Sequence, residues 1–240
     1  MFTKREVGSL AVSILLLGLV FGFDDGQPAF AASFWIKNLI IVILLVAASV
    51  LLRELFIKLT ASKFQAKSEY DIWLFERYWF KAGNKIKPGI PFGVILALLG
   101  SLISMGQFFF TAIGVHKIKE SLKHRSGSPK LVLGDLSISL IVLVGMVVNI
   151  LLIYLGFIFN IEMLSRINFF LVIYNLIPLS DLDGTKIFFG SQLLWVFTLI
   201  FAILSYALLP VNFALALIVS IILAVTIVIL FFVYWFYKGS

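Results

Sequence analysis

The chain has 240 residues, of which 62% are hydrophobic and 13% charged, with a mean hydropathy of +1.12. A soluble domain is roughly 45–50% apolar and 25% charged, so this excess cannot be buried in one globular core, and a water-soluble enzyme or a nucleic-acid-binding tail is excluded. With no cysteine there is neither a disulfide framework nor a thiolate metal site. The net charge of +7 sits mostly in Lys and Arg between apolar runs, where it reports membrane orientation. The expected class is an all-α polytopic membrane protein forming a single integral membrane domain.

A spanning helix needs about 20 apolar residues, and the runs 7–23, 36–60, 90–115, 131–159, 164–180, 191–208 and 211–237 are the candidates. The first also reads as a signal peptide, with Lys4–Arg5 before the apolar stretch and Ala29-Phe30-Ala31 as a cleavage site. The third is interrupted by Gly100, Ser101, Ser104 and Gly106. Segment 58–88 carries seven basic residues (Lys58, Lys63, Lys67, Arg77, Lys81, Lys85, Lys87) against Glu69, Asp71 and Glu76. Segment 116–130 carries Lys117, Lys119, Lys123, Arg125 and Lys130 against Glu120. Both belong on the cytoplasmic side, which requires 90–115 to be a re-entrant hairpin, turning near Gly100–Ser101 and buried in protein or lining a cavity. Six full crossings and one hairpin follow. Both termini are then cytoplasmic, Asp24–Asp25 and the turn 160–163 outside, and 181–190 an inside connection. Region 62–88 is too polar to span. Its short aromatic-rich pieces fit strands or an interfacial segment, with Trp73 and Trp79 suited to the headgroup zone. Tail 205–240 is a C-terminal spanning helix.

Three polar features interrupt apolar runs: Arg53-Glu54, Asp135, and Asp181 with Asp183. An ionisable residue in a spanning segment costs about 2.5–3.5 kcal/mol on insertion scales and marks a functional site with a partner to be named. On the derived topology Arg53-Glu54 and Asp183 lie at comparable depth near the cytoplasmic ends of their helices. The bland alternative is snorkelling at the interface, which suits Arg53 better than the short side chains of Glu54 and Asp183. Pro178 breaks its helix, Gly184 permits a turn, and broken helices at membrane depth line cavities.

The stretch Asn175-Leu176-Ile177-Pro178-Leu179-Ser180-Asp181-Leu182-Asp183-Gly184 resembles the N-x-x-P-x-x-x-L-D-G motif of the site-2 protease family of intramembrane zinc metalloproteases. The helix around Arg53-Glu54-Leu55-Phe56-Ile57 resembles the one that carries H-E-x-x-H in that family. The similarity covers roughly residues 35–200 and is strongest to short prokaryotic, especially archaeal, members without a PDZ domain. In active members the two histidines and the L-D-G aspartate hold zinc, and the intervening glutamate is the general base. The resemblance thus gives Glu54 the general-base position and makes Arg53, Ile57 and Asp183 the vestigial ligand positions. It places Asn175, Pro178, Gly184, Asp181 and Asp135 around the same pocket.

The departures from the family pattern determine the functional expectation. A catalytic zinc needs three protein ligands and an open position for water. Arg53 stays protonated and Ile57 has no donor atom, so no metal cofactor is expected. Phe56 stands where the family has a small residue, and the G-P-x-x-N element falls on Asp135-Leu136-Ser137-Ile138-Ser139, which keeps none of its signature residues. The histidines present, His116 and His124, fit no short zinc motif and read as solvated loop residues. The leading expectation is a catalytically inactive site-2-protease-like protein that binds or regulates membrane partners through a transmembrane helix, with the bilayer and no nucleic acid as its surroundings. The alternatives are an active zinc protease with a rebuilt site and a small transporter or channel. A guanidinium at a former ligand position is expected to pair with Asp183, or with Asp181 if the helix is rotated.

Overall fold

The computed structural model describes residues 2–24, 31–77, 85–104, 110–120 and 133–238. The chain is mostly helical, and among the described residues four helices are long and apolar enough to cross a membrane: Lys4–Gly22, Ala32–Lys63, Asp135–Ile158 and Phe213–Tyr234. It divides into two compact units, Met1–Leu51 with Glu69–Lys117 and Leu52–Ser68 with Ile118–Ser240.

In the first unit, α1 (Lys4–Gly22) starts at a capping box. The Thr3 hydroxyl accepts from the Glu6 N–H, and the Glu6 carboxylate accepts from the Thr3 N–H. Gly18 and Gly22, one turn apart, let α1 approach α2 (Ala32–Lys63) closely. A Cβ on Gly18 would lie 2.4 Å from Ile43 Cγ1, and one on Gly22 3.0 Å from Leu39 Cδ1. Such small-residue contacts favour helix association where water supplies no hydrophobic drive. The polar start of α1 is tied to β1 (Ala66–Ile72), where Glu6 accepts from the Tyr70 N–H at 3.0 Å and Tyr70 Oη donates to Ser13 Oγ at 2.9 Å. Asp71 collects Arg5 and Lys117, each at 2.7 Å. Burial pushes the Asp71 carboxyl up, but the Lys117 hydrogen bond and charge, the Arg5 charge and the Ile72 N–H together hold it below its ordinary value.

Strand β1 pairs with β4 (Gly114–Glu120), and β2 (Phe75–Arg77) pairs antiparallel with β3 (Lys85–Ile90). The strands expected in 62–88 are therefore present. The basic connection after His116 begins not as a loop but as strand β4. His116 is fully buried, its ring edge-to-face with Tyr70 at 5.5 Å, which corrects the expectation of a solvated residue. His124 lies outside the described residues. Trp73 is buried rather than at a headgroup surface, packed between Phe92 and Phe110, while Trp79 lies outside the described residues.

In run 90–115, helix α3 (Phe92–Ile103) continues through Gly100–Ser101 rather than turning there. Residues 110–113 pack on the start of the helix: a Cβ on Gly93 would lie 2.7 Å from the Ala112 carbonyl oxygen. The buried face of α3 is the small-residue series Gly93, Ala97 and Ser101.

The second unit is built on α4 (Asp135–Ile158) and α5 (Glu162–Asn175). Asn160, with φ +55°, turns the chain between them. The Ile161 N–H returns to the Gly156 carbonyl and the Asn160 N–H to the Phe157 carbonyl, the paired bonds of a Schellman end. Gly156 then faces Ser165, whose hydroxyl donates to the Ile153 carbonyl. The fifth run does not continue to 180. Helix α5 stops at Asn175, so it is about 20 Å long, short for a crossing, because Pro178 lacks the N–H needed to extend it. The Leu176 carbonyl left at its end accepts from Trp195 Nε1 at 2.7 Å. Residues 181–190, expected as a plain connection, hold a further helix, α6 (Asp183–Gly190).

Ser191 caps α7 (Gln192–Leu208), and the Asn212 carboxamide caps α8 (Phe213–Lys238) by accepting from the Leu215 N–H. The core of this unit is Val142, Met146, Ile150 and Ile153 of α4 with Val172, Leu176, Ile187, Ala202 and Ala216 from the other helices. Helix α8 is mostly exposed, as a lipid-facing helix must be.

Candidate functional site

The C-terminal turns of α2 belong to the second unit and present Arg53 and Ile57 on one face, as i, i+4 spacing requires. Both pack against α4 at Gly145. A Cβ there would lie 2.6 Å from Ile57 Cδ1 and 3.1 Å from Arg53 Cγ. The missing side chain therefore makes room for the arginine stem. Arg53 runs past this gap to Asp183, the first residue of α6, and Nη2 donates to Oδ2 at 2.7 Å. The same nitrogen donates to Asn175 Oδ1 at 3.4 Å, while Asn175 Nδ2 is anchored on the Leu171 carbonyl.

Both charges are out of water, with side-chain exposures of 5% for Arg53 and 0% for Asp183. The pairing expected from the charge argument is present, and with Asp183 rather than Asp181. Snorkelling does not describe Arg53, since its guanidinium is buried among protein groups. Asp183 receives a second cation. Lys186 Nζ reaches Oδ1 at 3.2 Å and also donates to the Asp181 carbonyl at 2.6 Å.

Close approach of backbones fixes α6 here. A Cβ on Gly184 would fall 2.3 Å from the Leu176 carbonyl oxygen and 2.6 Å from that of Ile177. Gly184 therefore permits contact with the end of α5 as well as a turn. Pro178 supplies the break that lets the chain reverse, and Ser180, with φ +53°, completes it. Glu54 is buried beside Arg53 on α2.

Asp135 and Asp181 are not drawn into the ion pair. Asp135 is an exposed first-turn residue of α4, well suited to the positive end of the helix dipole. It is therefore not a charge in the apolar run, as its place in the sequence suggests. With the exposed Asp181, Lys186 and Thr185 it lines a cavity of about 270 Å³ beside the pair.

The donor chemistry does not fit a zinc ion. Of the two α2 positions that the resemblance would make ligands, one is a guanidinium already seated on the Asp183 carboxylate, and the other is an alkyl chain. Among the described residues no three His, Cys, Asp or Glu side chains come together as a metal site. Two contributors escaped the sequence reading. Lys186 stands three residues after Asp183, a pairing interval only on a helix, and residues 181–190 read from the sequence as a connection rather than as α6. Gly145 is a lone glycine in an apolar helix, which signals close approach without naming the neighbour. No family model, curated protein or solved structure matches the chain.

Proposed function

We propose that this protein is a membrane-embedded relative of the site-2 proteases in which an internal ion pair has replaced the catalytic zinc, and that it binds a transmembrane helix of a partner protein without cleaving it. The observation that carries this reading is the meeting of Arg53 with Asp183 and Asn175. These residues are 130 and 122 positions apart in the chain, and the resemblance pairs those same two segments around one centre. The local chemistry favours binding over hydrolysis. Without a Lewis acid to polarise a carbonyl and acidify a water, Glu54 has no activated nucleophile to generate. The former ligand face instead locks the end of α2 to the start of α6.

In this reading α1, α2, α4 and α8 cross the bilayer, α5 and α7 are shorter crossings, and α3 belongs to the re-entrant element. Both termini and the basic strands face the cytoplasm. The decisive experiment is zinc quantification on the purified full chain, combined with melting in the presence of a chelator and incubation with membrane substrates. Substoichiometric zinc, an unchanged melting temperature and intact substrates are expected. Stoichiometric zinc whose loss in Asp183→Ala abolishes cleavage would overturn the proposal. Orientation is tested separately by a single cysteine at Ser126 in this cysteine-free chain. Labelling from outside intact cells by an impermeant reagent would reverse the assigned sidedness.

A further inference from the structure

At the end of α5 opposite Asn175, about 20 Å away along the helix, lies a cavity of about 470 Å³. It is formed where the α4–α5 turn meets the α7–α8 turn and is lined by Phe157, Asn160, Glu162, Ser165, Tyr206 and Pro210, among others. Its size is that of a small-molecule site. Its only ionisable acid is the Glu162 carboxylate, which is exposed and makes no ion pair among the described residues.

The other polar groups are acceptors or can become so. Ser165 already donates its proton to the Ile153 carbonyl, leaving its oxygen lone pairs. Asn160 is exposed, its place fixed by the left-handed turn. The Tyr206 ring is stacked on Phe169 at 4.1 Å, which holds its hydroxyl in position. Arg166, one helical turn beyond Glu162, lies with Glu162 within electrostatic reach of Tyr206.

The site therefore offers a carboxylate, neutral acceptors and aromatic walls at one place, and a guanidinium one turn away. It also sits where spanning helices end, the level of lipid headgroups. We propose that this cavity binds the headgroup of an ethanolamine phospholipid. The primary ammonium donates to Glu162, Asn160 and Tyr206, the phosphate lies toward Arg166, and the acyl chains leave along the apolar helix surfaces. A primary ammonium has three protons to give, which a carboxylate and two neutral oxygens can accept, and the aromatic walls add cation–π attraction. A choline headgroup has no proton to give and leaves those acceptors unmatched. A glycerol headgroup brings no positive charge to Glu162.

The test is native mass spectrometry of the full chain with ethanolamine, choline and glycerol phospholipids of identical acyl chains. We expect retention of the ethanolamine lipid about tenfold above the choline lipid, as one charge-assisted hydrogen-bond set allows. That preference should be lost in Glu162→Gln and reduced in Tyr206→Phe. Asn160→Gly, which keeps the turn's backbone freedom, provides a second variant should Glu162→Gln misfold, and it too should lose preference. Equal retention of ethanolamine and choline lipids by the native chain would overturn the proposal, as would a folded Glu162→Gln that keeps the preference. Competition by free phosphoethanolamine supports headgroup recognition. Tight binding of the free compound without lipid retention would refute the lipid as occupant.

Discussion

The Arg53–Asp183 pair lends itself to a double-mutant cycle, because its two single variants should differ in a way that geometry dictates. Both side chains are almost wholly buried at 2.7 Å separation. Removing one partner of such a pair typically costs about 3–5 kcal/mol, because the survivor is stranded, whereas an exposed pair is worth about 0–1 kcal/mol. Arg53→Met leaves Asp183 still facing Lys186 at 3.2 Å, so its cost should fall at the lower end, about 3 kcal/mol. Asp183→Asn removes the carboxylate on which the buried guanidinium is seated and should fall at the upper end, about 5 kcal/mol.

Removing both charges strands neither, so the double variant should be more stable than the sum of the singles implies, by at least about 2 kcal/mol. Arg53→Lys keeps the charge but exchanges the Nη2 nitrogen that reaches both Asp183 and Asn175 for an ammonium on a different stem, and should be intermediate. Unfolding of the purified chain in mixed micelles, followed by tryptophan fluorescence, supplies the four free energies. Additive losses, or an Arg53→Met variant costlier than Asp183→Asn, would show that the pair does not organise this region and that Lys186 is not its second cation.

Gly184→Ala should destabilise by about 1–3 kcal/mol or more, because the added carbon would meet backbone at Leu176 and Ile177 that no side-chain rotation can move. A variant within about 0.5 kcal/mol of the parent by the same unfolding assay would contradict the packing. Tyr154→Phe removes a buried 2.8 Å hydrogen bond to Ser205 and should cost about 1 kcal/mol, less in the Ser205→Ala background, as melting of both will show. For Asp71 the folded pKa lies below the ordinary value of 3.8. Its contribution is therefore complete above roughly that pH and is lost as pH falls through the lower folded value. Melting temperature against pH should show an acid limb below about pH 4 that Asp71→Asn flattens, and an unchanged limb would remove Asp71 from its origin.

Long-period patterns were easiest to read from the chain. The helices α1, α2, α4 and α8, long and apolar enough to cross a membrane, follow from long apolar runs, and the Arg53–Asp183 pairing from the appearance of a guanidinium at what the resemblance makes a ligand position. Elements whose character depends on a distant neighbour were illegible. His116 carries a polar ring on a strand beside basic residues, and packing in which Tyr70 takes part removes it from water. Helix α6 contains Gly184 and follows Pro178, both local signals for interruption. It forms because a glycine there can rest on the end of α5. Trp73 has the composition of an interfacial anchor, yet Phe92 and Phe110 enclose it.

The counter-ion of Asp183 is a side chain of the same polypeptide, and that has a consequence for regulation. A bound ion obeys mass action: its occupancy follows its free concentration, and the stability it confers changes with supply. A guanidinium joined to α2 through Arg53 is delivered by translation, one per molecule. Scarcity, competition from other cations and compartment do not alter its occupancy. The junction between the end of α2 and the start of α6 is therefore set when the chain folds, and any signal that opens it has to move one of the two elements.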